Sequence, residues 1–263
     1  MVEKDTAHKA GKETKNKTVR GKRLVLTVLG LAAWTIGGFF VGQYVVVGAL
    51  LLLKFIGVDF SEVNVPLFNA VAAAVTYAIS LAIVIGLPWL VYRQRTTRED
   101  VGLQRLPTWS ELGLAPAGLI VYFIVSGVVV WAASQLVPAF DPTQAQDVGF
   151  TQLGTRAEYI IAFMTLVVIA PVAEETLFRG YLYGKLQKYI PWWGAALITS
   201  ALFGLAHGQW NVAIDTFVLG MFLATLRTVS GSLWPSILLH MLKNGMAYYF
   251  LFINTTIINT LGG

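Results

Sequence analysis

Residues 24–53 read LVLTVLGLAAWTIGGFFVGQYVVVGALLLL, thirty positions without a charged side chain. An α-helix needs about 20 apolar residues to cross the ~30 Å hydrocarbon core of a bilayer. The stretch is too long for the apolar region of a signal peptide and has no convincing cleavage site, so it is read as a retained membrane helix. Gly38 and Gly42 within it form a small-xxx-small pair, a spacing that permits close helix contact. Working outward, residues 63–92 and 112–140 are equally free of charge and long enough to span.

Composition agrees. The chain of 263 residues is 56% hydrophobic, has a mean hydropathy of +0.66 and is only 13% charged. That is about half the charged share of soluble domains, so a soluble globule is excluded. Without cysteine, a disulfide scaffold is excluded too. Residues 1–23 hold eight Lys/Arg and three acids, which accounts for the whole net charge of +5 and leaves the rest neutral. The basic pI of about 9.4 therefore does not point to nucleic acid, because the excess lies on a short polar tail and not on a folded face.

The second half is more broken. Thr155 and Glu158 fit a capping box and predict a helix start near Arg156. The apolar run 159–173 follows, then Glu174, Glu175 and Arg179, with helical pattern to about Tyr189. Pro191 marks the next start. Further spans fit 191–207, 212–227 and roughly 234–258. The expected fold class is all-α, a polytopic membrane helix bundle of about seven helices; six or eight result if the short segments after residue 190 divide differently. Residues 1–23 are read as a basic cytoplasmic tail and 24–263 as a single transmembrane domain, with no internal repeat and no separate soluble domain.

Orientation follows from the positive-inside bias. With the N-terminus in the cytoplasm, the inside segments are the tail, 93–111, 179–190 and 227–233, which hold 16 of the 19 Lys/Arg. The outside segments hold only Lys54 and Arg156, and Lys243 lies inside a span. The tail is expected to act as a cytoplasmic retention signal and to touch anionic lipid.

Ionisable side chains within membrane spans are functional candidates by default. The set is Glu174, Glu175, His207, Asp215, His240 and Lys243, with Asn211 and Asn244 as neutral companions. If the fourth and fifth spans form a hairpin turning near residue 190, Glu174 and His207 lie at about equal depth. A rise of ~1.5 Å per residue along the sixth and seventh spans leaves His240 roughly 10 Å and Asn244 about 5 Å below His207. His240 and Asn244 are i and i+4, hence on one helix face. Glu175 has Arg179 at i+4, a spacing suited to a charge-assisted pair, which leaves Glu174 as the freer carboxylate. Glu174 suits a base that activates water. His207, His240 and Asn244 can supply hydrogen bonds to the oxyanion formed when water attacks a peptide carbonyl. Plainer readings stand for others: Asp215 near the outer interface, Lys243 snorkelling, His8 solvated in the tail, Phe203 packing one turn before His207, and Trp192 and Trp193 in an interfacial belt.

Glu174-Glu175-xxx-Arg179, Phe203-xxx-His207 and His240-xxx-Asn244, in that order, resemble the three motifs of the type II CAAX prenyl endopeptidase and bacteriocin-processing (CPBP, Abi) family. The resemblance covers about residues 155–250. It implies a glutamic-type intramembrane protease of about eight helices, without a metal or other cofactor at the site. It further implies Glu174 as general base, His207 as its assistant, His240 and Asn244 as the oxyanion hole, and Glu175, Arg179 and Phe203 as supporting positions. Eukaryotic members trim three residues from prenylated C-termini. The short basic tail and compact size look bacterial, so no prenylated substrate is inferred and the expected location is a bacterial plasma membrane.

The leading expectation is an intramembrane endopeptidase acting on a peptide or protein in or at the lipid bilayer, with no nucleic-acid partner. Two alternatives stand beside it. One is a zinc-dependent membrane protease with Glu174, His207 and His240 as ligands, although there is no His-Glu-xx-His helix. The other is a non-enzymatic immunity or scaffold protein, or a small transporter, although the halves do not repeat.

Overall fold

The computed structural model describes residues 2–137, 140, 148–150 and 153–254, with side chains from residue 21 onward. Among them every regular element is helical. They are α1 (Val2–Phe55), α2 (Val65–Tyr92), the short α3 (Arg98–Val101), α4 (Trp109–Leu136), α5 (Arg156–Leu186), α6 (Trp192–Ala206), α7 (Trp210–Ser230) and α8 (Trp234–Tyr248). Five of the described helices are long and apolar enough to cross a membrane: Gly21–Phe55 of α1, then α2, α4, α5 and α7. The fifteen-residue α6 is apolar but shorter, and α8 continues as a π-helical turn over Tyr249–Ile253. Among the described residues each of the seven spans read from the sequence falls on a helix, in an all-helical, multi-pass membrane bundle with five helices long enough to cross. The last part of the expected seventh span, residues 255–258, lies outside the described residues. So do positions 138 and 139 of the third.

Local chemistry sets the helix starts. Thr155 accepts from the backbone N–H of Glu158, and the Glu158 carboxylate accepts in return from Thr155 N–H, which closes the expected capping box. Glu158 also accepts from Asn64 Nδ2 at 2.6 Å, so the starts of α2 and α5 are tied together. Thr108 and Glu111 form a second box at α4. Pro191 stands at the N-cap position of α6 without a side-chain capping bond, where its missing N–H breaks no helical hydrogen bond. The basic residues at the start of the chain continue the helix of the first span.

The helices are not uniform. α2 has a π-helical segment at Ala82–Gly86, and α5 has two, Met164–Ile169 and Thr176–Leu182. A π-bulge turns carbonyls out of the i→i−4 ladder and often marks a functional region. Two of these segments supply acceptors to neighbouring helices. Val84 O receives Trp34 Nε1–H at 3.0 Å, and Leu166 O receives Asn244 Nδ2–H at 3.0 Å.

α5 and α7 form the interior. Their apolar windows are 39% and 44% buried, against 17–22% for α1, α2 and α4, whose outer faces expose Leu26, Tyr44, Trp89 and Trp131. The small pair on α1 lies where α1 meets α2. A Cβ on Gly38 would sit 2.5 Å from Val84 Cγ2, and one on Gly42 would clash with Ser80 Oγ and sit 3.1 Å from Thr76 O. α6 and α7 meet in the same way: a Cβ on Gly204 would lie 2.5 Å from the Ala213 carbonyl oxygen. Because that obstacle is backbone, Gly204→Ala has to push the two helices apart. We expect it to cost about 1–3 kcal/mol, seen as a lower unfolding midpoint in detergent. An unchanged midpoint would show that the two helices separate freely.

Arg179 is not part of an inside loop: α5 runs on to Leu186, and Arg179 is fully buried and paired with Glu175. It drops out of the positive-inside tally, because a cation neutralised inside the bundle reports nothing about loop polarity.

Candidate active site

Polar side chains and aromatic rings from several helices line a cavity of about 500 Å³. Glu174 faces it from α5, His207 from the C-terminal end of α6, and His240 and Asn244 from α8, so one space collects all four candidate catalytic residues. Tyr77 lines it from α2, Phe39 from α1, and Phe203 from α6.

The two neighbouring glutamates diverge as their ~100° separation on a helix requires. Glu175 points inward and has no exposed surface. Its Oε1 accepts from Arg179 Nη1 at 2.9 Å and from His240 Nδ1 at 3.1 Å. Glu174 keeps 13% of its side chain exposed toward the cavity, with Oε2 3.8 Å from His240 Nε2. Its Oε1 accepts from the Tyr77 hydroxyl at 2.5 Å. Glu174 is therefore the freer carboxylate, held by a hydroxyl and flanked by an imidazole.

His207 caps α6, and its Nδ1 lies 2.8 Å from Phe203 O. A carbonyl only accepts, so Nδ1 carries a proton, and one of the orphan carbonyls at the helix end is satisfied. The Nε2 atom of His207 is left for other chemistry. The same logic assigns the Nδ1 proton of His240, which donates to the Glu175 carboxylate; donation from its Nε2 as well requires the imidazolium form. Asn244 spends one N–H on Leu166 O and keeps a second.

Phe203 does more than pack. Its ring is 5.0 Å from His207 and 5.8 Å from His240, edge-on to both, and the Arg179 guanidinium lies 4.3 Å from its centroid. One ring therefore touches a residue of each motif. The Phe203 ring lies beside both imidazoles, and His207 and His240 line one cavity. Between these motifs α6 ends at Ala206, and the chain turns through Gly208 at φ +72° into α7.

Lys243 and Asp215 meet across two helices. Lys243 Nζ is 3.5 Å from Asp215 Oδ2 and lines the cavity, so it pairs inside the bundle and does not snorkel outward. Asp215 is tied to α4 through Tyr122 and Ser126. Tyr77 has no counterpart in the sequence reading. A lone tyrosine in an apolar run carries no spacing signal, and only the packing of α2 on α5 brings it to Glu174. The zinc arrangement of Glu174, His207 and His240 finds no donor set: among the described residues no group of three or more His, Cys, Asp or Glu is placed to hold a metal ion.

Residues 156–246 match the family model described as Rce1-like, type II CAAX prenyl endopeptidase Rce1-like. The resemblance read from the three motifs falls in that segment. The chain is 37% identical over 89 residues to an Escherichia coli protein named "Uncharacterized 24.3 kDa protein", covering 32% of this chain and 41% of that one. It is 27% identical over 77 residues to "Putative membrane peptidase YdiL" of Bacillus subtilis (strain 168), covering 29% and 32%. The matched region spans less than half the length of these curated relatives. No solved structure matches.

Proposed function

From residues 156–246 as a segment of the Rce1-like type II CAAX prenyl endopeptidase family, we propose that the chain is a glutamic-type intramembrane endopeptidase. Its substrate is a peptide or protein in or at the membrane. The observation that carries the reading is the shared cavity, which gathers a carboxylate, two imidazoles and a carboxamide from three helices. A water held at Glu174 gives up a proton to the carboxylate as its oxygen attacks the peptide carbonyl carbon. The oxyanion that forms accepts hydrogen bonds from Asn244 Nδ2–H and from the protonated His240 Nε2–H. The C–N bond then breaks, and the proton held by Glu174 passes to the leaving amine. His207 assists through Nε2, and Glu175 and Arg179 fix His240. No metal ligand set enters this scheme.

Under this reading the active unit is about residues 155–250, within one transmembrane domain spanning 24–263. The basic segment 1–23 stays in the cytoplasm, and the protein resides in the bacterial plasma membrane. The supporting arguments are the loop charge bias and the length of the apolar helices. The direct test is a comparison of peptide termini in membranes that carry the wild-type chain or Glu174→Gln. A new terminus that depends on Glu174 supports the reading, and identical terminus maps count against it.

Tyr77 is assigned as a positioning residue for Glu174. Tyr77→Phe removes only the hydroxyl that orients the carboxylate. We expect kcat to fall about tenfold, the size of a hydrogen bond to a charged group, with KM unchanged. An unaltered kcat, or a loss carried wholly by KM, would rule out this role.

A further inference from the structure

Among the described residues that line the cavity, Glu174, His207 and His240 have places in the reaction above, and Lys243 is an ionisable side chain that has none. Lys243 reaches in from α8, three residues after His240 and next to Asn244. Behind it stands Asp215 on α7, with Oδ2 3.5 Å from the ammonium. The other oxygen of Asp215 accepts from Tyr122 at 2.5 Å and from Ser126 at 2.6 Å. Three helices therefore hold one ion pair.

Such a pair is costly in this setting. Apolar residues of similar volume avoid the desolvation that a buried ion pair incurs, and ionisable groups inside membrane spans usually mark a binding or transport function. Nor is the pair sealed, since Lys243 and Asp215 keep 17% and 28% of their side-chain surface. An ammonium has three donors, and Asp215 engages it from one side. The arrangement matches a cation whose position is fixed and whose charge remains able to meet a second anion.

We propose that Lys243, backed by Asp215, is a carboxylate-binding subsite of the cavity. The group it takes is a peptide carboxylate, either a free C-terminus or an Asp/Glu side chain. One helical turn separates Lys243 from His240, and an extended peptide advances ~3.3–3.6 Å per residue. The bound carboxylate thus lies about one to three residues from the cleaved bond. The link to cleavage rests on the proteolytic reading, but the binding itself does not.

The test uses the full chain in detergent micelles and a short N-acetylated apolar peptide in three forms: free acid, carboxamide, and carboxamide with one Glu. Binding is read by calorimetry and by the shift in melting temperature. For wild type and for Glu174→Gln we expect at least one carboxylate form to bind about tenfold more tightly than the neutral amide. Whichever form gains identifies the source of the carboxylate. In Lys243→Met the ratio should fall to about one. Because that variant strands Asp215, Lys243→Met/Asp215→Asn repeats the test with a neutral pair. Equal binding of all three forms by wild type, no binding of either carboxylate form, or a ratio that survives in the double variant would overturn the subsite. An intact ratio with no Glu174-dependent cleavage would sink the proteolytic reading alone.

Discussion

Glu174→Gln is expected to lower the rate of peptide cleavage by roughly 10²–10⁴-fold, the range lost when a general base is removed. The replacement is nearly isosteric. Its amide oxygen still accepts from the Tyr77 hydroxyl, and the side chain still borders the cavity beside His240. What disappears is the carboxylate that takes the proton from water and returns it to the leaving amine. The unfolding midpoint should therefore stay near that of wild type while product formation collapses. This separation of stability from rate makes the variant informative. A mutation at Glu175 would confound the two, because Glu175 has no exposed surface and two hydrogen-bond partners to lose. Retention of full activity by Glu174→Gln on a verified substrate would remove Glu174 from the mechanism.

Local signals explain what the sequence made legible. Charge-free runs located the helices because a bilayer excludes charge. The Thr155–Glu158 box located the start of α5 because capping is decided within four residues. The i to i+4 spacing of Glu175 and Arg179 foretold their pairing, and with it the different environment of Glu174. Less legible was whatever depends on which helices touch. Tyr77 meets Glu174, and Lys243 meets Asp215, across large sequence separations. The π-helical segments in α2 and α5 were hidden as well. Their extra residue per turn leaves composition unchanged, yet it rotates every later side chain and frees Leu166 O for Asn244. Phe203 looked like packing because its neighbours are distant in sequence. Its contact with both imidazoles emerges only when α5, α6 and α8 assemble.

Arg179→Met should produce the largest loss of stability, about 3–5 kcal/mol, the range found when one partner of a buried ion pair is removed. Both side chains of the pair are fully buried. Without the guanidinium, Glu175 keeps its charge in an apolar interior with only the His240 ring as donor. A second contribution is lost on the other side, where the guanidinium lies 4.3 Å from the Phe203 centroid. Space is reserved for it too: a Cβ on Gly220 would come within 2.7 Å of Arg179 Nη2 and 2.8 Å of Ser200 Oγ. Methionine fills much of the volume, so the deficit measures charge and not a cavity. The control is Glu175→Leu with Arg179→Met, which removes both charges and should recover a large part of the loss, because the uncompensated carboxylate is gone. Stability and function then part company. The double variant regains its unfolding midpoint but leaves His240 Nδ1 without its acceptor, so cleavage should stay low at temperatures where the protein is folded. Recovery of both quantities together would mean that Glu175 and Arg179 hold the bundle and do nothing for His240. Recovery of stability alone would assign the buried pair to the imidazole that the reaction uses.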